Sequence, residues 1–200
     1  MTMTSRGRVP MVIPADNIPG PGQGRWTYEA YAALPNDGNR YEIVDGVLYM
    51  SPAPGRGHQV AVGRLYRHLS MYVEDTRLGE VYIAPFDVEL GPQMVVQPDV
   101  VVVLNAHLHK ITESRVIGAP DLVIEVSSPG TVGHDRDKKK HAYARAGVPE
   151  YWIVDPWSRT IEVLTWEAGN YYSQGVFEGK AVLPSKIVPD FLVHVEQFFA

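Results

Sequence analysis

No cysteine occurs anywhere in the 200 residues. Disulfides, thiolate nucleophiles and zinc–thiolate sites are thereby excluded, and a reducing compartment suits the chain. No apolar run approaches the roughly 18 residues that a membrane-spanning helix needs. Near the N-terminus, the apolar patch around Pro10 to Ile13 is too short for the core of a signal peptide. The expectation is a cytoplasmic protein with no membrane partner. Positive charge is also scarce: 18 Lys and Arg stand against 23 Asp and Glu, a formal net charge of −5. A protein that coats nucleic acid through bulk electrostatics is usually basic. That class is disfavoured, whereas a small basic patch beside a carboxylate site remains compatible with the composition.

What is present suits one soluble domain with a sizeable core, since 45% of residues are hydrophobic and 20% charged. Residues 1–24 are rich in Pro and Gly without a sustained hydrophobic period and read as a flexible arm. Residues 25–200 read as the folded domain. The spacing predicts a short helix over 28–34, with Thr27 at its N-cap and Pro35-Asn36-Asp37-Gly38 ending it. YEIVDGVLYM (41–50) reads as a β-hairpin, because Asp45-Gly46 tolerates the positive φ of a two-residue turn. Val60, Leu65, Leu69 and Val73 keep near-helical spacing and predict a helix over 57–78, closed by Gly79. Strands are expected at 80–84, 86–90, 95–104 and 121–126, with a short helix between 107 and 116. A helix over 135–146 ends at Gly147, with Arg145 complementing the dipole in its last turn. EYWIVD, TIEVLTWE, YYSQGVF and KAVL complete the strand candidates, and a last helix spans 195–199. This alternation indicates an α/β fold, a mixed β-sheet core flanked by helices.

Three segments carry chemistry. Asp99 heads the apolar run in VVQPDVVVVL. Glu125 interrupts the apolar run of DLVIEVSSP. Lys139 and Tyr143 lie four apart, hence on one helix face, in HDRDKKKHAY. A charge inside an apolar strand is costly unless it is paired or bound to a cation. Neighbouring strands lie about 4.8 Å apart, so Asp99 and Glu125 on adjacent strands can meet over one ion. An oxygen-only ligand set favours Mg²⁺ or Mn²⁺. Such an ion activates water and stabilises phosphodiester charge, and a nearby lysine positions the water or neutralises the oxyanion.

These residues resemble the PD-(D/E)xK nuclease superfamily, and more narrowly a bacterial restriction-endonuclease-like family of uncharacterised proteins. The resemblance covers roughly residues 26–199. It is carried by YEIVDG, the Ser51-Pro52 loop followed by His58, QPDVVVV, GAPDLVIEVSSP, D-R-x-x-K-x-x-x-Y at 135–143, and GVPEYWIVDP. It implies a restriction-endonuclease-like fold and a Mg²⁺-dependent (or Mn²⁺-dependent) endonuclease acting on DNA. Asp99 and Glu125 would be metal ligands, with the Val126 carbonyl as a third. Glu42 would be an early acid contacting the metal or its water. The superfamily usually places its lysine two residues after the acid, where this chain has Ser127. In the narrower family the lysine has moved to the following helix, which points to Lys139. His58, Lys138 and Tyr143 are candidates for substrate binding. A homodimer would provide the two sites that cutting both strands requires.

Structural readings compete at each position. Asp99 can simply open a strand. Glu125 can pair with Arg136, and Lys139 can belong to a solvated lysine run. Glu42 can face solvent, His58 can begin its helix, and Tyr143 can be a packing residue. Asp121 would lie roughly 13 Å from Glu125 along one strand, so Asp99 is preferred as the partner. A catalytically inactive nuclease fold that binds DNA or protein is the alternative function. A metal-free two-carboxylate glycosidase ranks last, for want of a sugar platform.

Overall fold

The computed structural model describes residues 12–51, 53–127 and 134–199. In chain order, β1 (Ile13–Pro14) and α1 (Tyr28–Ala32) precede a hairpin of β2 (Arg40–Val44) and β3 (Val47–Ser51). The long α2 (Arg56–Asp75) leads into β4 (Gly79–Ile83), β5 (Asp87–Gly91), β6 (Met94–Val96) and β7 (Val100–Leu104). A 3-10 turn at Asn105–Lys110, β8 (Arg115–Ile117) and β9 (Leu122–Val126) follow. The chain finishes with α3 (His134–Ala146), β10 (Glu150–Asp155), β11 (Thr160–Glu167), β12 (Asn170–Glu178) and a 3-10 turn at Val195–Phe198.

Among the described residues the strands form two six-stranded sheets, ordered β1-β3-β2-β6-β5-β8 and β12-β11-β10-β9-β7-β4. In the second sheet β9 and β10 are parallel and α3 is their crossover, while β7 runs antiparallel to β9. A sheet covered on both faces needs apolar residues at every position, which explains VVVVL in β7. Val100 and Val102 pack toward Leu65, Leu69 and Val73 of α2, whereas Val101 and Val103 pack toward Ala142 and Tyr143 of α3. Each fully buried Leu or Val on the α2 side contributes about 1.5–3 kcal/mol. Val44, Val88 and Val96 of the first sheet join the α3-side core, so the two sheets meet there.

The expected hairpin is present: Asp45 and Gly46 both have positive φ, and Glu42 pairs with Tyr49. Several expectations differ from what is observed. The run 95–104 is two strands in two different sheets. They are separated by Gln97-Pro98-Asp99, where Pro98 has no N–H to extend a ladder. The predicted helix between 107 and 116 is a 3-10 turn followed by β8, which pairs with β5. KAVL forms only an isolated bridge, Val182 to His194. Thr27 sits at the N-cap of α1, but its hydroxyl makes no capping bond. Within the expected arm, Ile13–Pro14 pairs with β3, and Ala15 and Ile18 pack in the cluster around buried Trp26. Residues 1–11, Pro52 and the Ser128-Pro129 pair lie outside the described residues, as do the side chains of Asp135 and Arg136.

Gly79 does not close α2, which ends at Asp75 with Thr76 as its C-cap. It opens β4, where a Cβ would lie 2.1 Å from the Val103 carbonyl oxygen and 2.7 Å from the Leu104 Cα. Both are backbone atoms, so the strands themselves must part. Gly79→Ala is expected to destabilise the protein by about 1–3 kcal/mol, read as a lower urea midpoint. An unchanged midpoint would show that β4 shifts freely.

Candidate active site

The sheet-to-sheet handover at Pro98 sets the site. Asp99 immediately precedes β7 and Glu125 is the next-to-last residue of β9. Val100 pairs with Ile124, so the two acids are the next positions along two antiparallel neighbours. Val101 and Val123 face the α3-side core, and strand alternation brings Asp99 and Glu125 out on that same face. Glu42 arrives from the other sheet. Tyr41 and Ile43 of β2 turn toward Trp26, whereas Val44, two residues beyond Glu42, turns toward α3. Lys139 and Tyr143, one helical turn apart on α3, point back at the acids.

The contacts are specific. Lys139 Nζ lies 2.8 Å from both Glu42 oxygens and 3.1 Å from Glu125 Oε1. The Tyr143 hydroxyl donates to Glu125 Oε1 at 2.6 Å. Asp99 Oδ2 accepts from the Val126 N–H at 2.8 Å and lies 3.1 Å from His58 Nε2. Glu42 Oε1 also accepts from the Gln97 N–H at 2.7 Å. Each metal-ligand candidate therefore has one oxygen held by two groups. Among the described residues, Asp99 Oδ1 and Glu125 Oε2 have no hydrogen-bond partner. The side chains are secluded, with relative exposures of 5% for Glu42, 7% for Asp99, 10% for Lys139 and 18% for Glu125.

Seclusion shows in the electrostatics. Burial pushes the Glu125 carboxyl up to about 7; the Lys139 amine opposes this and the nearby Asp99 and Glu42 charges reinforce it. Burial, with the Glu125 and Glu42 charges, likewise raises the Tyr143 hydroxyl, keeping it a donor. Among the described residues no three or more His, Asp or Glu side chains form a ready-made metal cage. Two carboxylates, each with one oxygen to spare, make an oxygen donor set suited to a hard cation that keeps several waters.

The structure brings together Glu42, Asp99, Glu125, Lys139, Tyr143 and His58. Glu42 does not face solvent; both its oxygens hold the lysine. Lys139 leaves its charged run because α3 turns it inward. Lys138, on another face of α3, donates to the Tyr49 hydroxyl at 2.8 Å, with its Nζ 5.2 Å from that ring's centre. The pairing of Glu125 with Arg136 involves a side chain outside the described residues. Asp121 is structural, accepting from the Leu104 N–H and lying 2.8 Å from His107 Nδ1.

Two participants escaped the sequence reading. Tyr49 was readable, since a two-residue turn at Asp45-Gly46 necessarily sets it opposite Glu42. Gln97 was less so. Its side chain donates to Asp87 and the Tyr31 hydroxyl and accepts from Arg40, locking the residue whose N–H holds Glu42. Only its place before Pro98-Asp99 hinted at this role.

The family model described as Uma2, "Putative restriction endonuclease", matches residues 28–196. No curated protein matches the chain significantly. Among solved structures, a "putative nuclease belonging to DUF820" from Anabaena variabilis ATCC 29413 is similar, with a TM-score of 0.73 at 19% identity. The match covers 87% of this chain and 97% of that one. At that identity the likeness is one of fold, and the fold is the nuclease-like α/β class expected from the sequence.

Proposed function

Because the chain belongs to the Uma2 family of restriction-endonuclease-like proteins, we propose that it is a divalent-metal-dependent nuclease hydrolysing phosphodiester bonds of DNA. One observation carries this reading. Two carboxylates from neighbouring strands are each fixed through one oxygen and spare the other, with an amine 3.1 Å from one of them. Asp99 and Glu125 would hold Mg²⁺ or Mn²⁺, with the Val126 carbonyl as a third ligand. A bound ion supplies a Lewis acid that lowers the pKa of water and offsets charge on the phosphate.

The remaining work falls to the chain's own groups. Glu42 keeps the Lys139 amine beside Glu125, where it orients an attacking water or stabilises the developing oxyanion. Tyr143 fixes the Glu125 carboxylate. Lys138, which donates to Tyr49 on the strand beside Glu42, is the cation assigned to a flanking phosphate. The test is cleavage of duplex DNA by the purified protein with Mn²⁺, and its loss on adding EDTA. Absence of cleavage by a protein that binds Mn²⁺ would favour the alternative, a binding module on the same fold. The ion pairing of Lys139 with two acids is the observation on that side.

Metal binding should follow pH in a set way. Ligation needs the Glu125 carboxylate, whose pKa in the metal-free protein is raised to about 7. Mn²⁺ affinity is therefore expected to climb about tenfold per pH unit below that value and level off above it, with protons released on binding. The same raised value means that Glu125 contributes most to metal-free stability below its unfolded pKa, near 4.5, and that this is lost as pH rises through 7. Calorimetry in buffers of different ionisation heat reads both the affinity and the released protons. A flat profile across neutrality would remove Glu125 from the ligand set.

A further inference from the structure

Near the site lies a buried ring whose hydrogen bonding is incomplete. His58 sits in the first turn of α2 and its side chain is 9% exposed. Its Nε2 lies 3.1 Å from Asp99 Oδ2, while its Nδ1 is buried and has no hydrogen-bond partner among the described residues. From this we infer that His58 is a positioning residue for Asp99. With its proton on Nε2, it grips Oδ2 together with the Val126 N–H and leaves Oδ1 for the cation. The inference rests on the metal-site reading above.

The hydrogen-bond inventory selects this tautomer. A neutral imidazole has one N–H and one lone pair. With the proton on Nδ1, a buried N–H would lack an acceptor, and the Nε2 lone pair would face a carboxylate oxygen. Both are costly. With the proton on Nε2, the N–H meets the carboxylate and only a lone pair goes unused. An apolar side chain of similar size would fill the same space without any orphaned atom, so packing alone does not account for an imidazole here. Its single useful N–H does.

The substrate contact first expected of His58 has no atom to make it. Nε2 is engaged by Asp99, and Nδ1 is out of reach of solvent. The ring acts through Asp99 instead, as groups behind metal ligands commonly do, with losses of about 10–100-fold in metal affinity when they are removed. A 20-residue helix supplies the rigid mount.

Three variants of the full chain test this by Mn²⁺ calorimetry. Gln carries its amide nitrogen about as far from the backbone as Nε2, whereas Asn ends near the position of Nδ1. His58→Ala and His58→Asn are expected to weaken Mn²⁺ binding about 10–100-fold, and His58→Gln to stay within about threefold of the unaltered protein. Nitrogen-15 spectra of the ring should show a protonated Nε2 and a bare Nδ1. Melting temperatures without metal accompany each variant. The inference falls if His58→Ala binds as tightly as the unaltered protein, or if Asn and Gln behave alike. It also falls if affinities merely track melting temperatures, or if the proton sits on Nδ1. If the unaltered protein binds no Mn²⁺, the metal-site reading falls and takes this inference with it.

Discussion

Replacing Asp99 by Asn, or Glu125 by Gln, is expected to lower Mn²⁺-dependent cleavage of duplex DNA by at least about a thousandfold. Both changes preserve shape and remove one negative charge from a site that has few charges to spare. Asp99 Oδ2 accepts from a main-chain N–H; an amide there must offer its oxygen to that donor and turn its NH₂ toward the cation. Glu125→Gln meets a similar conflict, because Oε1 already accepts from Lys139 and Tyr143. Neither variant opens a cavity, and Lys139 keeps Glu42 as its partner in both, so circular dichroism should stay near that of the unaltered protein. Each should also lose Mn²⁺ binding. If one variant cuts DNA at the normal rate, that residue is not a ligand and the site must be reassigned.

Lys139→Met should damage both stability and activity. The amine is the cation between Glu42 and Glu125, within 3.1 Å of both. Removing one partner of a buried ion pair leaves uncompensated charge and costs about 3–5 kcal/mol. Cleavage should fall about 10²–10³-fold. The stability loss has a predictable pH dependence. Lys139 lowers the Glu125 pKa, so without it that value moves above 7. The variant should therefore lie closest to the unaltered protein near pH 4.5, where Glu125 is protonated with or without the amine, and fall further behind as pH rises through neutrality. Adding Glu42→Gln should restore part of the stability and none of the cutting. Denaturant titrations at acidic and neutral pH, beside a cleavage assay, check this. A variant that melts normally at neutral pH would mean that the ion pair does not support the fold, and normal cleavage would remove the amine from the chemistry.

Local signals were readable where one short stretch of chain decides the outcome. Asp45-Gly46 specifies its own turn, and Gly147 ends α3 with a positive φ. Glu125 stood out because an acid among Leu, Val and Ile needs a partner. Legibility failed where distant packing decides. The run 95–104 is apolar on both sides of Pro98, and nothing local tells that its halves belong to different sheets. Gly79 follows a helix and so resembles a stop, yet its smallness serves a strand packed against Val103. Residues 107–116 have helical character, but β8 is drawn into pairing with β5. In the candidate site, the grouping of Asp99, Glu125 and Lys139 was expected from residue type and family resemblance. The division of labour among them was not. That Glu42 holds the lysine and His58 holds Asp99 depends on side-chain geometry between layers, which no spacing in one dimension encodes.

The seam at Pro98 bears on synthesis. By the time Asp99 leaves the ribosome, Glu42 and His58 have preceded it, but Glu125 and Lys139 have not yet been made. β9 finds its antiparallel partner β7 already made, whereas its parallel neighbour β10 and the lysine of α3 are added only afterwards. A chain that stops before α3 thus carries the acids of the candidate site without their lysine, and the full cluster forms only when α3 packs back on the sheet.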